Sequence, residues 1–206
     1  VSTLSTTNVK NASSGSNNIV LAADGSTTIA TLTGTTITGT SVRGGITSGT
    51  VVASTSGTSI DFTSIPSYVK RITVMFDGVS LNGVSHLLVQ IGDSGGIETT
   101  SYKAQSTISN SGSTTLNSVA GFPIFASEAA FNQNGNLIIN TLGNNTWTAT
   151  GTNAMIGGST NSMNMTGGSK TLSGTLDRVR ITTTNGTDTF DAGSINILRG
   201  LTHAPH

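Results

Sequence analysis

VKRITVMFDGVSLNGVSHLLVQIG, residues 69–92, decides the fold class. Ile72, Val74 and Phe76 alternate with Arg71, Thr73, Met75 and Asp77, and Leu87, Val89 and Ile91 alternate with His86, Leu88 and Gln90. Successive side chains of a strand point to opposite faces, so both runs read as strands with one apolar and one mainly polar face. Between them lies Asn82-Gly83, and Asn-Gly is a strong hairpin signal because a type I′ turn needs positive φ at two residues in succession. The pair recurs as Asn134-Gly135 and Asn185-Gly186, each flanked by apolar or β-branched residues. Three hairpins are expected. The first joins the two strands just described. The second pairs the region around Phe131 with Leu137, Ile138 and Ile139, and the third joins Val179, Ile181 and Thr183 to the strand after Thr187. A last strand over 194–199 puts Ile195 and Ile197 on one face, and Pro66 suits a strand entrance where a missing amide donor is tolerated. Only 126–131, ASEAAF, has the makings of a helical turn.

Composition narrows the function classes. The 206 residues fit one domain with an appendage. Only 9% are charged, 9 Lys+Arg against 9 Asp+Glu, while Ser, Thr, Gly and Asn make up roughly half the chain. So few cations form no basic nucleic-acid surface, and no apolar run approaches the roughly 20 residues of a membrane-spanning helix. Neither membrane insertion nor a signal peptide is expected. With no cysteine there is neither disulfide nor thiolate metal site. Stability must come from core burial, backbone pairing or assembly.

The chain divides near residue 50. Residues 1–49 contain no aromatic residue, and their apolar residues stand singly among Thr, Ser and Gly, as in GSTTIATLTGTTITGTSVRGG. That surface is too small to enclose a core within one chain. Two or three copies wound about a common axis would bury it, as stacked repeats do; the competing reading is a flexible Ser/Thr/Gly linker. Regular Ile, Leu and Val favour the intertwined, short-stranded shaft. Residues 50–206 read as an antiparallel β-sandwich head of jelly-roll-like character.

The segments IPSYVKRITVMFDGVS and DRVRITTTNGTDTFDAGSINI resemble phage tail-fibre and related virion structural proteins, and the opening NVKNASSGSNNIVLAADGSTTI is similar to repetitive fibre segments that precede distal domains. The resemblance implies a non-enzymatic homotrimer exposed on the virion and assembled in the host cytoplasm. Its N-terminal segment would join other tail or baseplate proteins, and its distal part would attach to a host-surface receptor, a glycan. The alternative within this class is a purely structural virion component such as a head fibre, a capsid decoration or a tail adaptor. No cofactor is implied.

Few residues carry chemistry. Glycoside hydrolysis needs two acids about 5–9.5 Å apart; Asp77 with Asp93, and Asp188 with Asp191, are the nearest candidates, but Asp at strand ends and turns ordinarily serves its own backbone. His86 reads as a surface residue on a polar strand face, and no nucleophile elbow or phosphate loop is present. His203 and His206 could meet their symmetry mates on a trimer axis and bind a metal, or belong to a frayed terminus. For receptor binding the candidates are Tyr102, Asn144, Asn145 and Trp147. Tyr102 follows a Gly-rich loop and is expected to be exposed, and the Asn amides of the loops, Asn153 and Asn161 among them, can read hydroxyls. Trp147 offers a flat face for a sugar, although its alternation with Ala149 favours a core position.

Overall fold

A computed structural model describes residues 45–109, 114–159 and 161–200 in full, together with the backbone of three short strands before them. The chain forms two compact units, Val1–Arg43 and Gly44–His206. In the first, β1 (Asn8–Val9), β2 (Ile19–Leu21) and β3 (Thr27–Ile29) pair antiparallel in the order β1-β2-β3. The rest of the expected shaft up to residue 44 lies outside the described residues.

The second unit is all-β. Its larger sheet comprises β4 (Ile46–Ser48), β5 (Val52–Ala53), β7 (Arg71–Leu81), β10 (Lys103–Ser109), β11 (Thr114–Ser118), β13 (Asn132–Gly143), β14 (Thr146–Ile156), β15 (Ser162–Thr171) and β17 (Phe190–Gly200). Its order is β11-β10-β15-β14-β13-β7-β17-β4, with β5 also paired to β17. The smaller sheet comprises β6 (Ser59–Phe62), β8 (Leu87–Asp93), β9 (Gly96–Ile97), β12 (Phe122–Ile124) and β16 (Arg178–Thr183), in the order β12-β8-β16-β6 with β9 on β8. Every pairing is antiparallel. Because β4 pairs with Leu198–Gly200, residues 46–48 belong with this unit rather than with the N-terminal segment.

The alternation read from residues 69–92 holds for β7, where Ile72, Val74 and Phe76 are buried. They share one hydrophobic core with Leu137 and Ile139 of β13, Ile195 and Ile197 of β17, and Val89, Ile91, Phe122, Val179 and Ile181 of the smaller sheet. Burying each such aliphatic side chain stabilises by about 1.5–3 kcal/mol, which is why period 2 decides the faces. A satellite cluster gathers Ile108, Phe125, Phe131 and Met155. Strand β8 departs from expectation. Leu88 and Gln90 are buried as well, because the segment 119–121 covers that face; Gln90 Nε2 donates to Ala120 O at 2.9 Å.

None of the three Asn-Gly pairs closes a hairpin. Asn82-Gly83 carries the chain from β7 in one sheet to β8 in the other, and Asn185-Gly186 carries it from β16 to β17 in the same fashion. Asn134-Gly135 lies inside β13, where Asn134 Oδ1 accepts the Gly78 amide at 2.8 Å and the register against β7 shifts. The observed β13–β14 hairpin turns instead at Asn144-Asn145, with φ of 48° and 57°, the double positive φ of a type I′ turn. Among the described residues there is no helix. The 126–131 segment makes a turn closed by Phe131 N–H to Glu128 O at 3.1 Å.

Candidate functional site

Tyr102, Asn145 and Trp147 are linked through Lys170 at the end of β15 and Leu172 just after it, and Asn144 adjoins Asn145 at the hairpin tip. Asn145 O accepts the Leu172 amide at 3.0 Å, Trp147 lies opposite Lys170 across strands, and Lys170 Nζ stands 5.4 Å from the centre of the Tyr102 ring. The two aromatic residues, however, face inward. Tyr102 is 1% exposed and Trp147 5%. This corrects the expectation that Tyr102 is exposed. Its hydroxyl accepts the Ile91 amide at 2.8 Å and lies 3.0 Å from Glu98 O, while its ring meets Phe122 edge-on at 5.1 Å. An aromatic ring gains more from this burial than from a wet surface, and the burial pushes the phenol pKa up. Neither ring has a free face for a sugar. What this region does expose is the hairpin tip, with Asn144 and the 76% exposed Leu142.

The charges beside these rings form a closed network. Lys170, its side chain 3% exposed, pairs with Glu98 at 2.5 Å. Ser173 donates its amide to Glu98 at 2.7 Å and its hydroxyl to Asp93 at 2.7 Å, and Gly95 N–H donates to Asp93 at 2.8 Å. The Ser173 hydroxyl, followed by the Gly95 amide, holds the Asp93 pKa below the usual carboxylate value. For Glu98 burial acts upward, but Lys170 and Ser173 together outweigh it and the net shift is downward. Glu128 is lowered by the Ser159 hydroxyl and amide. A general acid needs the opposite shift. Arg178 with Asp177 and Arg180 with Asp61 extend the pairing. The Arg180–Asp61 pair joins adjacent strands of the smaller sheet by two bonds of 2.7 Å.

Around His86, Ser85 and Asp188 no nucleophilic relay is assembled. The His86 Nδ1 accepts the Ala126 amide at 3.0 Å and its ring leans on Phe125 at 4.5 Å. Asp188 accepts the Ser85 amide, and the Ser85 hydroxyl lies 2.7 Å from Thr184 Oγ1. His86 is half-buried rather than a plain surface residue, and that burial lowers its pKa. Of the carboxylate candidates, Asp93 is held by Ser173, Asp188 by Ser85 and Asp191 by the Ser80 hydroxyl.

The loop asparagines divide. Asn161 is exposed, and its Oδ1 accepts the Gly157 amide at 3.1 Å. Asn153 is no loop residue; it sits inside β14, 0% exposed, on the inward face. His203 and His206 lie outside the described residues. Among the described residues no group of three or more His, Cys, Asp or Glu is placed to hold a metal.

One surface escaped the sequence reading. In β14, TWTATGT, residues 146–152, places Thr146, Thr148, Thr150 and Thr152 on the outward face of the larger sheet. Their neighbours across strands are Asn136, Ile138, Asn140 and Gly143 of β13 and Met165, Gly167, Ser169 and Thr171 of β15. The signal was the period-2 threonine itself, hidden by the abundance of Thr elsewhere. Comparison with family profiles, with curated proteins and with solved structures finds no match to this chain.

Proposed function

We propose that this chain is a non-enzymatic attachment protein, the distal part of a phage tail fibre. In this reading it works as a homotrimer with an intertwined N-terminal shaft and a jelly-roll-like β-sandwich head that binds a host-surface glycan. The observation that carries it is a charge-poor chain whose Gly44–His206 unit is two antiparallel sheets around one core. The downward-shifted carboxylates agree with it, because they fit ion pairing and turn closure better than acid catalysis. The segment IPSYVKRITVMFDGVS, which resembles virion fibres, runs through β7, a central strand of that unit. Three heads on one shaft would also turn weak single contacts into firm attachment.

Light scattering on the full chain, followed by binding to arrayed polysaccharides, tests the proposal. A mass of three times 20.8 kDa with saturable glycan binding supports it. A trimer that binds no glycan favours a purely structural virion component. A monomer overturns the shared shaft.

A further inference from the structure

The outward face of β11, β10, β15, β14 and β13 is nearly free of charge. Among its described residues Lys103, beside Ser169 at one end, is the single charged side chain. The remainder are hydroxyls, amides and a few apolar groups. Opposite Thr150 and Gln105 stands Gly167, with no atom within 4 Å of the place a Cβ would take. A sheet face with one side chain missing has a shallow trough there, flanked by Gln105, Thr107 and the 52% exposed Met165. The Gln105 amide is already oriented by a 3.1 Å bond from Nε2 to Asn117 Oδ1.

We propose that this trough, with the threonine rank of β14 beside it, is the docking face for a neutral polysaccharide chain. The inference rests on the attachment reading above and names the surface that performs it. Hydroxyl and amide groups both donate and accept, as sugar hydroxyls do. Met165 supplies a soft, polarizable contact for the apolar side of a sugar ring. The missing side chain at Gly167 lets a ring approach the backbone. The charge pattern selects the partner: an anionic polymer requires cations that this face lacks. A protein partner would want the aromatic and arginine anchors of an interface core; among its described residues this face has neither, and its exposed apolar groups include Met163, Met165 and Ile156. The ion-paired Asp61 and Arg180 lie on the other sheet.

The test uses the full chain on an array of neutral hexose and N-acetylhexosamine polymers beside sialylated and uronate polymers. Gly167→Ile fills the trough with a strand-favouring side chain in open space, and Thr150→Val removes one hydroxyl at nearly constant shape. The wild type is expected to bind neutral polymers. Gly167→Ile should abolish that binding and Thr150→Val weaken it about three- to tenfold, with melting temperature and assembled mass unchanged. Asp61→Ala, on the opposite sheet, should bind like the wild type. Neutral-polymer binding that survives Gly167→Ile, or binding confined to anionic polymers, overturns this face and leaves attachment standing. No binding to any polymer overturns both.

Discussion

At the scale of single residues, the buried asparagines of the larger sheet show how much depends on a partner. Asn164 Nδ2 donates to Gln133 Oε1 at 2.9 Å and to Phe125 O at 3.2 Å. The Asn164 Oδ1 has no partner among the described residues. Asn153, opposite it across strands, is equally buried, and among the described residues neither amide atom of its side chain has a hydrogen-bond partner. A buried unpaired polar group costs about 1–3 kcal/mol, whereas each hydrogen bond that is made, such as the two from Asn164 Nδ2, contributes about 1. Asn164→Ala is therefore expected to lower stability by about 1–3 kcal/mol, while Asn153→Ala leaves it unchanged or raises it; urea midpoints compare the two. His86 supplies a pH signature. Its native pKa lies below 6.5, so the unfolded chain takes up a proton the native one refuses. Its contribution to stability is complete above pH 6.5 and declines as the pH falls through the lowered native value. Asp93 and Glu98 are depressed below 3.8 and 4.5, and their contribution is lost only as the pH falls through those lower native values. Urea midpoints measured against pH should fall in two stages, and His86→Gln should remove the first.

Elements depend on local geometry that a residue pair can satisfy in more than one way. At Asn144-Asn145 the turn demands positive φ twice, a conformation that costs ordinary L-residues roughly 1–2 kcal/mol each. Asn145→Gly should raise the melting temperature and Asn145→Val should lower it. Strands β7 and β17 meet at Gly78 and Gly193, where a Cβ on Gly193 would stand 2.4 Å from the Gly78 carbonyl carbon. A side chain there would force these two strands of the larger sheet apart. The Lys170–Glu98 pair locks β15 to the segment after β9. Lys170→Met keeps the aliphatic stem but strands Glu98, whose side chain is 22% exposed. The expected loss is about 1–3 kcal/mol, below the 3–5 typical of a fully buried pair.

At the largest scale, stability of the Gly44–His206 unit rests on the core that its two sheets share. Ile72 and Ile197 are 0% and 2% exposed. Truncating either to Ala should cost about 2–5 kcal/mol, a large part of the roughly 5–15 kcal/mol that holds a domain folded. Loss of the sharp unfolding transition in the Ile72→Ala, Ile181→Ala double variant, one residue from each sheet, would confirm that one core serves both sheets. Two independent small unfolding steps would contradict it.

The sequence by itself determined the all-β class and the inward faces of β7, β16 and β17, because side-chain alternation is local and burial rewards it strand by strand. It also determined the poverty in charge. Which strands pair was decided only by the tertiary structure. An Asn-Gly pair prefers a backbone conformation, and that preference serves a crossing between sheets or a bulge as well as a hairpin. The burial of Tyr102 and of the second face of β8 likewise depended on segments distant in the chain folding over them. The threonine rank was written in plain period 2, but only the pairing of β14 with β13 and β15 made it part of a face.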